Sequence, residues 1–333
     1  MKIAIVTDAW TPQVNGVVRT LNQTGHELTA MGHAIRYITP SGLRTSPCPT
    51  YPEIRLAMFA GEHVADTLHD FSPDAIHIAT EGPLGQSARR FCLRRKLRFT
   101  TSFHTQFPEY IRARGVPLPL SWLYGWLRRF HGAAVRTMVL TPAQRERLLS
   151  YGFNNVTVWS RGVDAEVFKP LPRRSFDLPR PIAIYVGRVA VEKNLDAFLG
   201  LNTPGSKVII GDGPALASMQ VRYPGAHFLG ALFGAELAAA IADGDVFVFP
   251  SRTDTFGLVM IEAMACGLPV AAYPVTGPID VVKQGVSGCL HEDLSQAIAG
   301  ALKLNREACV SYAQQYTWRR CTETFLSALS PVY

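Results

Sequence analysis

The sequence predicts an α/β chain of two doubly wound domains. Three observations carry this. The chain has 333 residues, 47% of them hydrophobic, enough for two cores. Short apolar runs alternate with helical patterns along its whole length. A Pro/Arg-rich stretch, 166–180, interrupts that alternation and reads as a linker between a domain at 1–165 and one at 181–314.

The first domain opens on a strand, Lys2 to Thr7. A loop from Asp8 to Val17 contains Gly16, and a helix from Val18 to Met31 stops at Gly32. With the next strand, His33 to Thr39, this makes a βαβ start, but without the GxGxxG fingerprint of dinucleotide binding. Residues 40–60 read as an irregular connection with Ile54 to Leu56 as a strand. Pro73 to Ile78 is a buried strand, a helix follows to about Arg95, and the strand Phe99 to Phe103 ends in His104. A histidine at the carboxyl end of a parallel strand points to where such sheets bind ligands, which singles out His104; His77, inside a strand, reads as structural. Met138 to Thr141, Pro142 to Tyr151 and Val156 to Trp159 complete the domain as strand, helix and strand.

The second domain restarts with a strand, Ile182 to Val186, and a glycine-led loop carrying Arg188 and Lys193. A forked guanidinium and a point charge at a strand's carboxyl end make an anion site. A helix runs to Leu199, and the strand Lys207 to Ile210 ends in the turn Gly211-Asp212-Gly213-Pro214. His227 to Gly230 is a short strand and Glu236 to Ala242 a helix. Asp243-Gly244-Asp245 has the spacing of a metal pair, but it lies between a helix end and a strand start, the wrong end of a sheet for ligands. Val246 to Phe249 is a strand, followed by a polar loop, a helix from Phe256 to Cys266 stopped by Gly267 and Pro269, and the strand Val270 to Tyr273. Asp254 and Glu262, with seven residues between them, bracket the free amides of Phe256, Gly257, Leu258 and Val259, a natural anion site. Glu262 shares a helix face with Leu258, Ile261 and Ala265, so it needs a partner to be buried there. A further helix opens at Gly277-Pro278-Ile279-Asp280, Gly285 to Leu290 is a turn and strand, and Leu294 to Leu329 is helical.

No run of 18 apolar residues exists, so no transmembrane helix is expected, and the first apolar run is too short for a signal peptide. Six cysteines without CxxC spacing read as free thiols in a reducing cytoplasm, with no zinc site. Residues 1–165 carry a net +8 and the remainder −1. The basic excess sits in two stretches interleaved with aromatics and leucines, 89–98 and 112–130, the latter holding Arg112, Arg114 and Ser121 to Phe130. They read either as an interfacial patch for an anionic membrane or as solvated helix faces with a core-facing stripe. No nucleic-acid motif accompanies them, so nucleic acid is disfavoured as a partner.

The segment PSRTDTFGLVMIEAMACGLPVAA resembles the signature of family 4 of the retaining GT-B glycosyltransferases: two acidic residues separated by seven, here Asp254 where the family usually has glutamate, and Glu262. Thr253 to Gly257 is similar to a subgroup of bacterial enzymes that glycosylate lipids. Gly16, His104, Gly162-Val163-Asp164, Gly187-Arg188 with Glu192-Lys193-Asn194, and the Gly211 turn match further family positions. The resemblance implies a GT-B fold: two Rossmann-like doubly wound domains facing a central cleft, the acceptor mainly on the first and the donor on the second. It also implies a C-terminal helix, about 315–333, packed back on the first domain through Trp318 and Phe325.

The implied activity is retaining, metal-independent transfer of a hexose from a UDP- or GDP-sugar to an acceptor, a membrane lipid such as diacylglycerol, at the inner face of the cytoplasmic membrane. No cofactor is implied. In that scheme Glu262 holds the ribose and Asp254 the sugar hydroxyls. Arg188 and Lys193, with the amides of Phe256, Gly257, Leu258 and Val259, stabilise the departing diphosphate. His104 contacts the sugar, Gly16 the phosphates and Gly211 the nucleotide. Three alternatives stay open: a soluble or polysaccharide acceptor, a nucleotide-sugar epimerase or hydrolase, and a non-catalytic nucleotide-sugar binder.

Overall fold

The computed structural model describes all residues except 12, 14, 15, 49, 50, 114–116, 174 and 175, and the side chains of all those but 48, 51–54, 110 and 113. The chain divides into two compact units, one of Met1–Pro108, Pro117–Arg161 and Trp318–Tyr333, the other of Glu109–Val116 and Gly162–Thr317.

In the first unit, β1 (Lys2–Val6) leads into α1 (Gly16–Ala30) and β2 (Ala34–Ile38). The stretch expected to be irregular is an antiparallel hairpin, β3 (Thr45–Cys48) with β4 (Tyr51–Ala57), followed by α2 (Gly61–Phe71), a helix the sequence reading did not place. The unit continues through β5 (Ala75–Ile78), α3 (Pro83–Arg95), β6 (Thr100–Ser102), the first two residues of α4 (Phe107–Ala113), α5 (Leu120–His131), β7 (Arg136–Val139), α6 (Pro142–Ser150) and β8 (Val156–Val158); the rest of α4 is counted with the second unit. Its sheet is parallel, in the order β2-β1-β5-β6-β7-β8. β5, and β1 after its first residue, are buried on both faces, as such a sheet requires, and their apolar side chains pack on α2 and α3. The direction of the connections reverses between β1 and β5, the topological switch of this sheet.

The second unit runs β9 (Ile182–Val186), a 3-10 turn at Val191–Lys193, α7 (Leu195–Leu199), β10 (Ser206–Ile210), α8 (Leu216–Arg222), β11 (His227–Phe228), α9 (Gly234–Asp243), β12 (Val246–Phe249), α10 (Leu258–Ala265), β13 (Val270–Ala272), α11 (Pro278–Val281) and β14 (Gly288–Leu290). The sheet is again parallel, β11-β10-β9-β12-β13-β14, with its switch between β9 and β12. The region expected to be helical from Leu294 to Leu329 is three helices, α12 (Leu294–Ala301), α13 (Arg306–Ala313) and α14 (Trp318–Ala328). Asn305 makes the first break by capping α13, its side chain accepting from the amides of Glu307 and Ala308.

α14 belongs to the first unit and packs on α1. Phe325 is fully buried there, 4.9 Å from the His77 ring and 4.7 Å from Trp159, and Trp318 is buried as well. Asp243 and Asp245 serve as arginine clamps: Arg180 reaches Asp243 at 2.5 Å and Asp245 at 2.9 Å, Arg173 reaches Asp245 at 2.9 Å, and both acids accept backbone amides, from Phe176 and Ile182. Cys92, Cys266, Cys289, Cys309 and Cys321 are free thiols. Among the described residues no helix is long and apolar enough to cross a membrane.

Candidate active site

In the second unit the loops leaving β9 and β12 meet at the switch point. Asn194 donates its side-chain amide to the Pro250 carbonyl at 3.0 Å, and the hydroxyls of Ser251 and Thr253 reach the Glu192 carbonyl at 3.5 and 3.4 Å. These ties bring Lys193 and Asp254 together: Nζ donates to Oδ1 at 2.5 Å, with side chains 19% and 13% exposed. Burial works against the Lys193 ammonium, but Asp254, Tyr185 and Glu192 together outweigh it and hold its pKa above the ordinary value. The sequence assigned the two groups separate tasks, Lys193 to the diphosphate and Asp254 to the sugar. The structure makes them partners.

Arg188 follows β9 with a half-buried side chain, and its carbonyl accepts from the Tyr185 hydroxyl at 2.9 Å. α10 begins two residues later than expected: Phe256 is buried ahead of it, Gly257 is its left-handed N-cap, and Leu258 and Val259 supply its first amides. Glu262, in the second turn, is 1% exposed and engaged within the chain. Its charge, after burial itself, helps push the Cys266 thiol up to about 12. Gly211 ends β10, where an added Cβ would lie 1.9 Å from the Gly187 carbonyl oxygen. Close packing of two strand-end loops therefore accounts for glycine at this position.

His104 and Gly16 belong to the first unit. Gly16 opens α1, is exposed, and accepts at its carbonyl from the Thr20 hydroxyl at 2.7 Å. His104 is buried, with Arg161 donating to Nδ1 at 2.8 Å and Ser102 Oγ 2.7 Å from Nε2. Arginine only donates, so Nδ1 accepts and Nε2 carries the proton. Burial first, then the charges of Arg161, His77 and His131, hold the His104 pKa well below its ordinary value, so the ring is neutral. His77 is a satisfied core histidine, bonded to Thr100 and Ser102 at 2.9 and 3.1 Å and pushed down to about 3 by burial.

The sequence reading did not single out Asp8, Glu81 or Arg161. Asp8 stands two residues past β1, as Arg188 does past β9, so position alone could have flagged it. Its buried carboxylate accepts from Thr80 Oγ1 at 2.7 Å and from the Leu84 and Gly85 amides at 2.9 and 3.4 Å, while burial raises its pKa. Arg161, 4% exposed, lies over the Trp159 ring and donates to the Trp159 and Ser160 carbonyls; burial lowers its pKa to about 10. Among the described residues no three His, Cys, Asp or Glu side chains cluster as metal ligands.

The family model described as "Glycosyltransferase Family 4" matches residues 14–167, and "Glycosyl transferases group 1" matches 180–304. A GDP-mannose-dependent alpha-mannosyltransferase of Mycobacterium tuberculosis is 32% identical over 315 residues, 87% of this chain and 83% of the relative. The chain belongs to glycosyltransferase family 4. A sulfoquinovosyl transferase of Arabidopsis thaliana is 32% identical over 263 residues, 74% of this glycosyltransferase and 52% of the plant protein. Sucrose-phosphate synthase from Thermosynechococcus elongatus superposes with a TM-score of 0.77 at 20% identity, covering 98% of this chain and 97% of that one. The fold of this glycosyltransferase is GT-B, α/β with two Rossmann-like parallel-sheet domains.

Proposed function

We propose that this glycosyltransferase moves a hexose from a nucleoside-diphosphate sugar to a membrane lipid, with retention of configuration and without a metal. The observation that carries the reading is the Lys193–Asp254 pair, set with Arg188 at the switch point of the second unit beside the first amides of α10. Departure of a nucleoside diphosphate concentrates negative charge on the leaving oxygen. Preorganised cations and a helix N-terminus stabilise such charge where it develops. Asp254 holds the ammonium in place before the donor arrives and takes sugar hydroxyls on its second oxygen. Glu262 accepts the ribose hydroxyls, and the diphosphate itself removes the acceptor proton on the face it leaves. Both nitrogens of His104 are bonded within the first unit, so its contact with the sugar is made by a neutral, fixed ring or by its backbone.

The names of the relatives favour GDP-mannose as the first donor to try, with UDP-sugars second. A lipid acceptor is supported by α5. Its inner face buries Tyr124, Leu127, Phe130 and His131, while Trp122 and Trp126 are 73% and 54% exposed beside the exposed Arg128 and Arg129. Arg89 of α3 donates to the Phe130 and Arg129 carbonyls at 3.0 and 2.8 Å, which joins the two basic stretches into one face. Tryptophans flanked by arginines seat in the interface of an anionic bilayer. Of the expected patch, Arg114 lies outside the described residues.

Nucleotide release from GDP-mannose, UDP-glucose and UDP-galactose, with and without vesicles of anionic lipid that carry either diacylglycerol or a glycolipid, tests the reading. Vesicle-dependent release with one donor, unchanged by EDTA, is the expected result. Equal release without vesicles would make the protein a donor hydrolase.

A further inference from the structure

A cavity of about 500 Å³ opens within the first unit, beside the carboxyl end of β5. Its wall carries Glu81, Gln86, Ser87 and Arg90, with Phe59 at its rim. Glu81 is a prepared acceptor: its side chain is 8% exposed, and Oε1 accepts from His131 Nε2 at 3.1 Å. His131 is fully buried and held at Nδ1 by Thr101 Oγ1 at 2.9 Å, so the carboxylate is fixed from behind while it faces the cavity.

Phe59 is the opposite case. It is 87% exposed and adopts φ of 55°, a left-handed conformation that costs a non-glycine residue about 1–2 kcal/mol. Core packing accounts for neither its backbone conformation nor its exposed ring, and the ring is left open to a ligand at the cavity.

The wall also shows what the ligand is not. The first amides of α3, at Leu84 and Gly85, are taken by Asp8, so the helix end offers no cradle for a phosphate. Gly82 keeps them so, because a Cβ there would stand 2.4 Å from the Asp8 carboxyl carbon. An anion would further meet the Glu81 carboxylate. A carboxylate, an amide, a hydroxyl and a guanidinium around an aromatic face instead match a ring bearing several hydroxyls. The volume falls in the range of small-molecule sites, roughly 300–1,000 Å³.

We infer that this cavity binds a hydroxylated ring, a sugar or cyclitol headgroup of the acceptor, with Phe59 against its C–H face and Glu81 accepting from its hydroxyls. The inference rests on the reading of the chain as a lipid glycosyltransferase. It narrows that reading from a lipid with one free hydroxyl, such as diacylglycerol, to a lipid whose headgroup is already a ring.

The test is ligand-observed NMR on the full chain with methyl α-glucoside, methyl α-mannoside and myo-inositol as probes. At least one should bind the wild-type protein, and Phe59→Ala and Glu81→Gln should each weaken that binding about tenfold. Phe59 makes no core contact that its loss could disturb, so the first variant reads the cavity directly. No binding by any of the three, or equal binding by wild type and both variants, overturns the proposal. Nucleotide release by the wild-type protein reads the transferase assignment separately. Ring binding without release would sink that assignment and keep the cavity, and release without ring binding would do the reverse.

Discussion

The two units place their polar groups at the same topological position and use opposite chemistry there. At the β9/β12 switch the second unit sets Arg188 and the Lys193–Asp254 ion pair around a helix N-terminus. At the β1/β5 switch the first unit buries Asp8 against the N-terminus of α3. His131 holds Glu81, and the imidazoles of His131, His104 and His77 are bonded in turn to threonines and a serine. On the proposed reading the first arrangement takes a charged ligand and the second a hydroxyl-rich one. The comparison teaches that the sheet order fixes where a ligand goes, whereas the loop residues two to eight positions past each strand decide which ligand it is.

The largest effect should come from breaking the second unit's pair. Lys193→Ala is expected to cut kcat by about 10²–10³ in steady-state nucleotide release, the scale of losing one preorganised charge partner. Because Lys193 and Asp254 act together, the double variant Lys193→Ala/Asp254→Asn should lose little more than Lys193→Ala alone. Additive losses would separate the two groups and undo the pairing argument. Arg188→Ala should follow with a loss of about 10² in kcat. Glu262→Ala is expected to weaken nucleotide binding about tenfold to a hundredfold by calorimetry; an unchanged Kd would remove its ribose role.

Acid should distinguish the units. The folded-state pKa of His77 is about 3 and that of His104 is well below its ordinary 6.5, burial being the first cause of each and Arg161 the next. The unfolded chain therefore binds more protons below pH 6.5. Stability of the first unit falls as pH drops from there towards 3, by up to about 1.4 kcal/mol per pH unit for each histidine. Asp8, with its pKa raised by burial, works the other way and offsets part of that loss. The raised pKa of Lys193 gives stability that is present below 10.5 and lost only as pH rises beyond it. Hydrogen exchange at pH 7.5 and 5, corrected for intrinsic rates, should show β5 and β6 opening more at the lower pH while β9 and β12 do not. Uniform loss across both units would contradict the histidine account. The smallest effect belongs to the surface: Trp122→Ala and Trp126→Ala should each reduce partition onto anionic vesicles several-fold in a sedimentation assay, with the folded core untouched.

Much of this was legible in the sequence, for identifiable reasons. Doubly buried strands such as Ile182–Val186 are continuous apolar runs bounded by glycine or proline, so the two sheets could be counted from them. The hairpin β3–β4 could not, because Pro47 and Pro52 sit inside it and break the strand pattern. α2 was hidden behind it, with Val64 and Leu68 as its only buried apolar anchors. In the site, Arg188, Lys193, Asp254 and Glu262 were each visible as charges at strand or helix ends. Their pairing was not: Lys193 meets Asp254 across 61 positions because β9 and β12 are sheet neighbours. Arg161 meets His104 across 57 because the loops after β6 and β8 fold to one point, a relation no local pattern carries.

The measurement that bears most directly on the central claim is the anomeric configuration of the product, read by NMR after turnover of GDP-mannose in EDTA with lipid vesicles. The account predicts an α-mannoside formed at the rate seen without chelator. A β-mannoside would contradict retention, and an EDTA-abolished reaction would contradict leaving-group stabilisation by Arg188 and the Lys193–Asp254 pair alone.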